Sequence, residues 1–319
     1  MIDMGRVWAE VVLGRDLWKL VSRFDSSLVE VTPLTTLPSP HSDRASFRLR
    51  FDSGQIMKAR RFESAAEAEV AETISRVIDP SHFPRVLFRR RAAMLIQWVE
   101  GQPLTAVHVS PALLREIGML HGRLHTITPP KSLMRSALKQ LHWRTRLACQ
   151  FDQLVVHGAL SKKEKNEAIG VALRHEPENL NLGLVHNDLC SENLVLSPTG
   201  RVWVVDNETL SIDSYDYDLA RTWYRWPMDR LQLEAYLDGY DRHRSSSDFK
   251  AHFVYWAMTA LAGSALFRLQ HKTRGAEFPV LLLKALLRRN SAGDDSLFQD
   301  KLAIERYDQP SFSLQNALL

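Results

Sequence analysis

The chain changes character once, near "EGQPLT" (residues 100–105), and that change limits its possible folds more than any other feature. Before it come short runs with the β-branched content or alternation of strands: "LVEVTPLTT" (28–36), "ASFRLRFD" (45–52), "QIMKARRF" (55–62), "RVLFRR" (85–90) and "AMLIQWV" (93–99), with Ser53-Gly54 as a turn. One helix interrupts them, "SAAEAEVAETISRVI" (64–78), which sets Val70, Ile74, Val77 and Ile78 on one face and stops at Asp79-Pro80. After the break, helical spacing dominates. Ser110-Pro111 starts a helix that carries Leu113, Leu114, Ile117, Leu120 and Leu124, and more helices are expected over about 131–157 and 161–174, the second opened by the capping box "SKKE". From Tyr217 onward the pattern is helical again. Residues 184–206 are the exception, with short apolar runs around a polar loop and the turn "SPTG" (197–200). The plan is α+β in two lobes. Residues 1–99 make a small antiparallel-sheet lobe with a leading helix and one Glu-rich helix, and 100–319 make a larger, mainly helical lobe.

Composition excludes several classes. With 319 residues and 45% hydrophobic content the chain can bury a full core. A formal charge of +4, with no long single-sign run, is too mild for a nucleic-acid partner. Cys149 and Cys190 lie far apart without CxxC spacing, so neither a disulfide framework nor a zinc site is indicated, and a reducing compartment fits. The N-terminal "MIDMGRVWAEVVLGRDLWKL" is broken by charges and reads as an amphipathic helix rather than a signal peptide. The apolar stretch "FVYWAMTALAGSALF" (253–267) falls short of the roughly 20 residues of a membrane span and stops at Arg268. A soluble cytoplasmic protein, with no membrane partner, is expected.

The chemistry concentrates in "LVHNDLCSENLVL" (184–196), where His186, Asp188 and Asn193 form H-x-D-x-x-x-x-N. Asp206 follows 13 residues after Asn193, at the end of the strand "RVWVV". These residue types suit phosphoryl transfer: an aspartate accepts the attacking hydroxyl's proton, while an amide oxygen and a second carboxylate supply hard ligands for Mg²⁺. A hairpin explains the spacing, its loop presenting Asp188 and Asn193 and its returning strand delivering Asp206.

At these residues the chain resembles the aminoglycoside phosphotransferase and choline kinase family, whose fold is protein-kinase-like. "HNDLCSEN" matches the family's H-G-D-x-x-x-x-N loop, "VVDNE" (204–208) its I-D-x-E strand, and Asp218-Leu219-Ala220 its D-L-A. The resemblance implies a transfer of the γ-phosphate of ATP or GTP, with Mg²⁺, to a small-molecule hydroxyl. It makes Asp188 the catalytic base, Asn193 and Asp206 the metal ligands, and Glu208 a support for the metal site. His186 and Asp218 would brace the loop, Asp218 by accepting backbone N–H bonds. Lys58 in "QIMKAR" takes the place of the phosphate-binding lysine, held by a helix glutamate, for which Glu67 is chosen over Glu69 and Glu72. "MLIQWVEGQPL" (94–104) resembles the connector that carries adenine, with the C=O of Gln97 and N–H of Val99 pairing with the base and Ile96 lining the pocket.

Two departures stand out. The phosphate-covering stretch "LPSPHSDRAS" (37–46) has no glycine, so the hydroxyls of Ser39, Ser42 and Ser46 would have to replace backbone N–H groups, with Ser42 the first choice. Asn187 stands where relatives have Gly, and Asn tolerates a positive φ. His121 and His125 read as packing residues, Cys190 as a small packed residue, and "RTWYRW" (221–226) equally as substrate wall or helix core.

Only 11 residues separate Asp206 from Asp218, too few for the activation segment on which protein kinases dock peptides, so the acceptor is a small molecule. Residues 219–319 carry 11 acids against 14 Lys and Arg, a poor receiving surface for a polycationic aminoglycoside. A sugar-like or amino-alcohol acceptor is expected, and a neutral or anionic sugar-like alcohol fits this charge balance better than an aminoglycoside. The glycine-free loop leaves a second reading, a catalytically degenerate pseudokinase that binds nucleotide or regulates a partner.

Overall fold

A computed structural model describes residues 4–25, 27–34, 45–106, 109–140, 143–226, 228–273 and 275–291. Two helices lead, α1 (Met4–Leu13) and α2 (Arg15–Phe24), then β1 (Leu28–Pro33), β2 (Ala45–Phe51), β3 (Ile56–Arg61), α3 (Ala65–Ser75), β4 (Val86–Arg90), β5 (Ala93–Gln97) and the short β6 (Gln102–Pro103). Next come α4 (Pro111–Leu124), α5 (Lys131–Gln140), α6 (Trp143–Val156), α7 (Lys162–His175), β7 (Leu182–Val185), β8 (Leu194–Leu196), β9 (Val202–Val204) and β10 (Ser211–Ser214). The chain then runs through α8 (Tyr215–Arg225), α9 (Arg230–Tyr240), α10 (Ser247–Ala251), α11 (Phe253–Gln270) and α12 (Glu277–Ser291). It divides into two compact units: residues up to Ala106 together with Glu192–Glu208, and Val107–Ser191 together with the chain from Thr209.

In the first unit five antiparallel strands stand in the order β1-β2-β3-β5-β4. The expected strands all form, and the inner ones bury one side: Phe47, Leu49, Met57, Ala59, Ala93 and Leu95 face the core built on Leu13, Leu17, Leu20 and Val21 of the leading helices. The opposite face carries Met94 and Ile96, packed with Phe62 and Ala68 beside α3. Lys58 pairs in register with Ile96, so its side chain leaves the sheet opposite Met57 and Ala59. The single leading helix expected from sequence is two helices, because Gly14 takes φ +75° and breaks the run. α3 starts where Ser64 caps it, its hydroxyl accepting the Glu67 N–H. A second sheet in this unit, β6-β8-β9, turns through "SPTG", where the Gly200 N–H reaches the Ser197 carbonyl.

The second unit is helical around α11, whose residues from Phe253 to Ala262 are all buried. That explains the apolar stretch: a helix hydrophobic on every side is enclosed by neighbours, here α6, α7, α8 and α12. No helix among the described residues is long and apolar enough to cross a membrane. α4 begins at the expected Ser110 cap with Pro111 in its first turn, and α7 has both bonds of the capping box between Ser161 and Glu164. α4 and α9 lie against each other so closely that a Cβ on Gly118 would stand 1.9 Å from the Tyr236 carbonyl oxygen. β7 pairs with β10, Val185 opposite Ser211, and so fixes the strand from which the His186 loop departs.

Candidate active site

In the first unit, the hairpin β8–β9 is tied down on its return strand: the Val204 N–H donates to the His82 carbonyl and the Val205 N–H to that of Asn193, each at 2.8 Å. The backbone then turns at Asp206 into the left-handed region, φ +64°, a conformation that aspartate visits more readily than most residues. The turn brings the Asp206 carboxylate to the Lys58 ammonium, 2.6 Å away. Glu208, just beyond, stands 3.3 Å from the same ammonium and 2.8 Å from the Arg60 guanidinium. Two cations of β3 thus face two carboxylates from the hairpin.

Burial pulls the Lys58 pKa down, yet the carboxylates of Glu208 and Asp206 outweigh it and hold the ammonium above the usual lysine range. Burial likewise opposes ionisation of Asp206, but Lys58 and a bond with Glu208 hold its carboxyl below the usual range. Glu208 goes the other way, raised by burial with the Asp206 charge adding to it. Asp206 keeps 44% of its side chain exposed, against 10% for Glu208, so it is Asp206 that presents an open carboxylate face. That face and the amide oxygen of Asn193 from the same hairpin are hard donors of the kind Mg²⁺ takes, and the residues present fit the ion.

In the second unit the His186 loop hangs from Asp218. The buried carboxylate accepts the backbone N–H of His186 at Oδ2 and that of Asn187 at Oδ1, both at 2.7 Å, as expected of it. It also accepts the Nε2 of His121 at 2.9 Å and of His125 at 3.1 Å. His125 is bonded in turn to the Tyr240 hydroxyl at 2.8 Å, and His121 to that of Tyr236. Burial opposes ionisation of Asp218, but the two imidazoles hold its carboxyl well below the usual range. Burial and the neighbouring His121 push the His125 imidazole down to about 3. Asn187 takes φ +63°, so the loop keeps its turn without glycine, and its Nδ2 donates to Ser211 Oγ at 2.7 Å. His186 is fully buried, and the Asp188 N–H reaches its Nδ1 at 3.3 Å.

Asp188 is partly exposed, and two arginines of α8 converge on it. Arg225 Nε lies 3.1 Å and Arg221 Nη2 3.3 Å from the same oxygen, Oδ1. "RTWYRW" therefore divides: Trp223, Tyr224 and Trp226 are core, while its arginines turn to the loop. Sequence reasoning missed this, although Asp218, Arg221 and Arg225 follow at three and seven residues, one face of a helix. His121 and His125, which the sequence presents as packing residues, likewise donate to Asp218.

Of the remaining expectations, the Glu67 pairing is not what the structure shows. Among the described residues the Lys58 ammonium pairs with Asp206 and Glu208, whereas Glu67 reaches back at 3.3 Å to the N–H of Glu63. Its place in the first turn of α3 favours that helix start over a contact across the sheet. Ile96 and Gln97 close β5, with the Gln97 N–H given to the Arg85 carbonyl, and Val99 follows outside the strand. Ser39 and Ser42 lie outside the described residues. Ser46 is buried in β2, its Oγ receiving Arg60 Nη1 at 2.6 Å. Cys190 is buried too, 3.8 Å from Arg225 Nη2.

An antiparallel sheet followed by a mainly helical region, with this loop and this strand-borne lysine, defines the protein-kinase-like class of phosphotransferase folds. Solved structures agree. The chain is similar to a choline/ethanolamine kinase family protein from Mesorhizobium loti, with 17% identity, 92% of this chain and 98% of that one covered, and a TM-score of 0.60. It is also similar to a thermostable mutant of an aminoglycoside phosphotransferase, with 15% identity, 85% and 98% covered and a TM-score of 0.59. A choline kinase from Cryptosporidium parvum gives 14% identity, 97% and 99% covered and a TM-score of 0.55. No curated protein sequence matches the chain. The sequence pattern of the phosphotransferase enzyme family matches residues 34–249, and the chain belongs to that family of small-molecule kinases, phosphotransferases with an alcohol group as acceptor.

Proposed function

We propose that this protein transfers the γ-phosphate of ATP or GTP, taken as its magnesium complex, to a hydroxyl of a sugar-like or amino-alcohol small molecule. The observation that carries the reading is the pairing of the β3 lysine with Asp206, whose side chain stays 44% exposed. Asn193 and Asp206 would hold magnesium, which when bound offsets the charge of the phosphates. Lys58 leaves its carboxylates in part to bind phosphate oxygens, with Glu208 keeping the ammonium in place. Ile96, Gln97 and Val99 would receive the base of the nucleotide, and Ser42 a phosphate. Asp188 accepts the acceptor's hydroxyl proton as the new O–P bond forms and the bond to the departing nucleoside diphosphate breaks. Asp218 and His186 keep that carboxylate in position through the backbone bonds they make.

The test is calorimetric titration with ATP and GTP, with and without Mg²⁺, joined to turnover measurements. Asp188→Asn should lower turnover by about 10²–10⁴-fold and leave magnesium-nucleotide binding as it was, since a positioned base contributes about that much. Transfer that survives in Asp188→Asn at the wild-type rate would remove the mechanism.

A further inference from the structure

The arginines on Asp188 bear on the choice of acceptor. Arg221 is fixed from two sides, its Nε donating to the Asn187 carbonyl at 2.9 Å and its Nη2 to Asp188 Oδ1 at 3.3 Å. Among the described residues its Nη1 makes no bond. Arg225 approaches the same carboxylate oxygen at 3.1 Å. The three side chains are 20% (Arg221), 25% (Arg225) and 21% (Asp188) exposed, so all are reachable from solvent and all are partly dehydrated. Their backing is aromatic: between the arginines, Trp223 packs edge-on against Phe253 and Tyr224 stacks on Phe278. No acid occurs in the sequence from Arg221 to Met228, and Asp213, the nearest acid before Tyr215, is bonded to Arg146 at 2.9 Å.

A molecule that brings a hydroxyl to Asp188 must therefore bring it against two guanidiniums. In a partly dehydrated place like charges repel, and opposite charges attract, several times more strongly than in bulk water. An ammonium on the acceptor is penalised. A carboxylate or phosphate matches the planar fork of Arg221, which pairs with such groups through two parallel bonds. From this we infer that the acceptor is an anionic alcohol, a hydroxyl compound that also carries a carboxylate or a phosphate monoester, and that Arg221 and Arg225 bind its anionic group. The inference rests on the phosphotransfer reading above and narrows it to the sugar-like side.

The experiment uses the full chain saturated with MgADP, so that added anions cannot enter the nucleotide's place. Glucose 6-phosphate, glucuronate, glucose and glucosamine, one skeleton with four charges, are titrated in turn into wild type, Arg221→Gln, Arg225→Gln and Arg221→Lys. At least one anionic probe should bind ten times or more tighter than glucose, with glucosamine weakest, and which of the two wins separates phosphate from carboxylate. Arg221→Gln should cost that probe about tenfold, some 1.4 kcal/mol, while MgADP and glucose bind as before. Arg221→Lys, which keeps the charge and loses the fork, should fall between. Equal binding of all four probes, a preference for glucosamine, no saturable binding of either anion, or an anion preference intact in both glutamine variants would overturn the proposal. Failure of MgADP itself to bind appears in the first titration and speaks against phosphotransfer instead.

Discussion

Asp218 takes four donors on one buried carboxylate, and the consequences for protonation can be read from its neighbours. His125 is held neutral down to about pH 3, first by burial and then by the charge of His121. The unfolded chain takes up a proton at this imidazole below about pH 6.5, which the folded chain refuses, so the contribution of His125 to stability falls as pH drops through that window, by about 1.4 kcal/mol per unit. Asp216 acts in the opposite sense. Burial and the Asp248 charge raise it to about 6, so it binds a proton in the folded state first and stabilises on acidification below that pH. A His125→Gln variant separates the two: its stability deficit relative to wild type, measured by denaturant titration, should shrink as pH falls from 6.5 toward 4. A deficit independent of pH would mean that His125 is not held neutral. At this scale the sequence was partly legible. The bonds from Asp218 to the loop N–H groups followed from the motif, whereas the imidazoles did not, because a helix-borne histidine reads alike whether it packs or donates.

Elements with a strong period were the most legible, since β2 and β3 alternate and the caps at Ser64, Ser110 and Ser161 form as written. The crossing of α4 and α9 was not, because it depends on absent side chains rather than present ones. Gly118, Gly122 and Gly239 let the two backbones meet: a Cβ on Gly239 would lie 1.9 Å from the Arg115 carbonyl oxygen, and one on Gly122 2.6 Å from that of Tyr240. The same contact carries His121 and His125 to Tyr236 and Tyr240. Gly118→Ala and Gly239→Ala should each destabilise by about 1–3 kcal/mol through overpacking, and both should lower the thermal midpoint. Gly170 on α7 is the control. Its nearest obstacle is 3.9 Å away, so Gly170→Ala should be neutral or gain about 0.5–1 kcal/mol, as alanine does in an open helix. Equal gains in all three would show that helix propensity, not close approach, governs the effect.

For the molecule as a whole, the division of the chain follows pairing that no local rule displays. β6 joins β8, and β8 joins β9, so Glu192–Glu208 belongs to the same unit as the five-stranded sheet although Val107–Ser191 intervene. Short strands such as these are legible only as breaks in a helical pattern, and their partners lie too far along the chain to be inferred from spacing. The metal-ligand set is therefore testable as a property of the entire fold. A ligand that binds only the folded state stabilises it by about 2.7 kcal/mol at a hundred times its Kd. MgADP should raise the thermal midpoint of wild type, ADP without magnesium should raise it less, and Asp206→Asn should abolish the difference between them. A shift that is the same with and without magnesium would separate Asp206 from the metal.

Asn187 sets a condition on how sequences of this kind can drift. Its left-handed backbone is equally open to glycine, but its side-chain amide is bonded to Ser211, and a glycine there would leave that hydroxyl without its partner. Lineages with glycine at 187 are thus released from keeping a hydroxyl at 211, while those with asparagine are held to it. The two positions should covary.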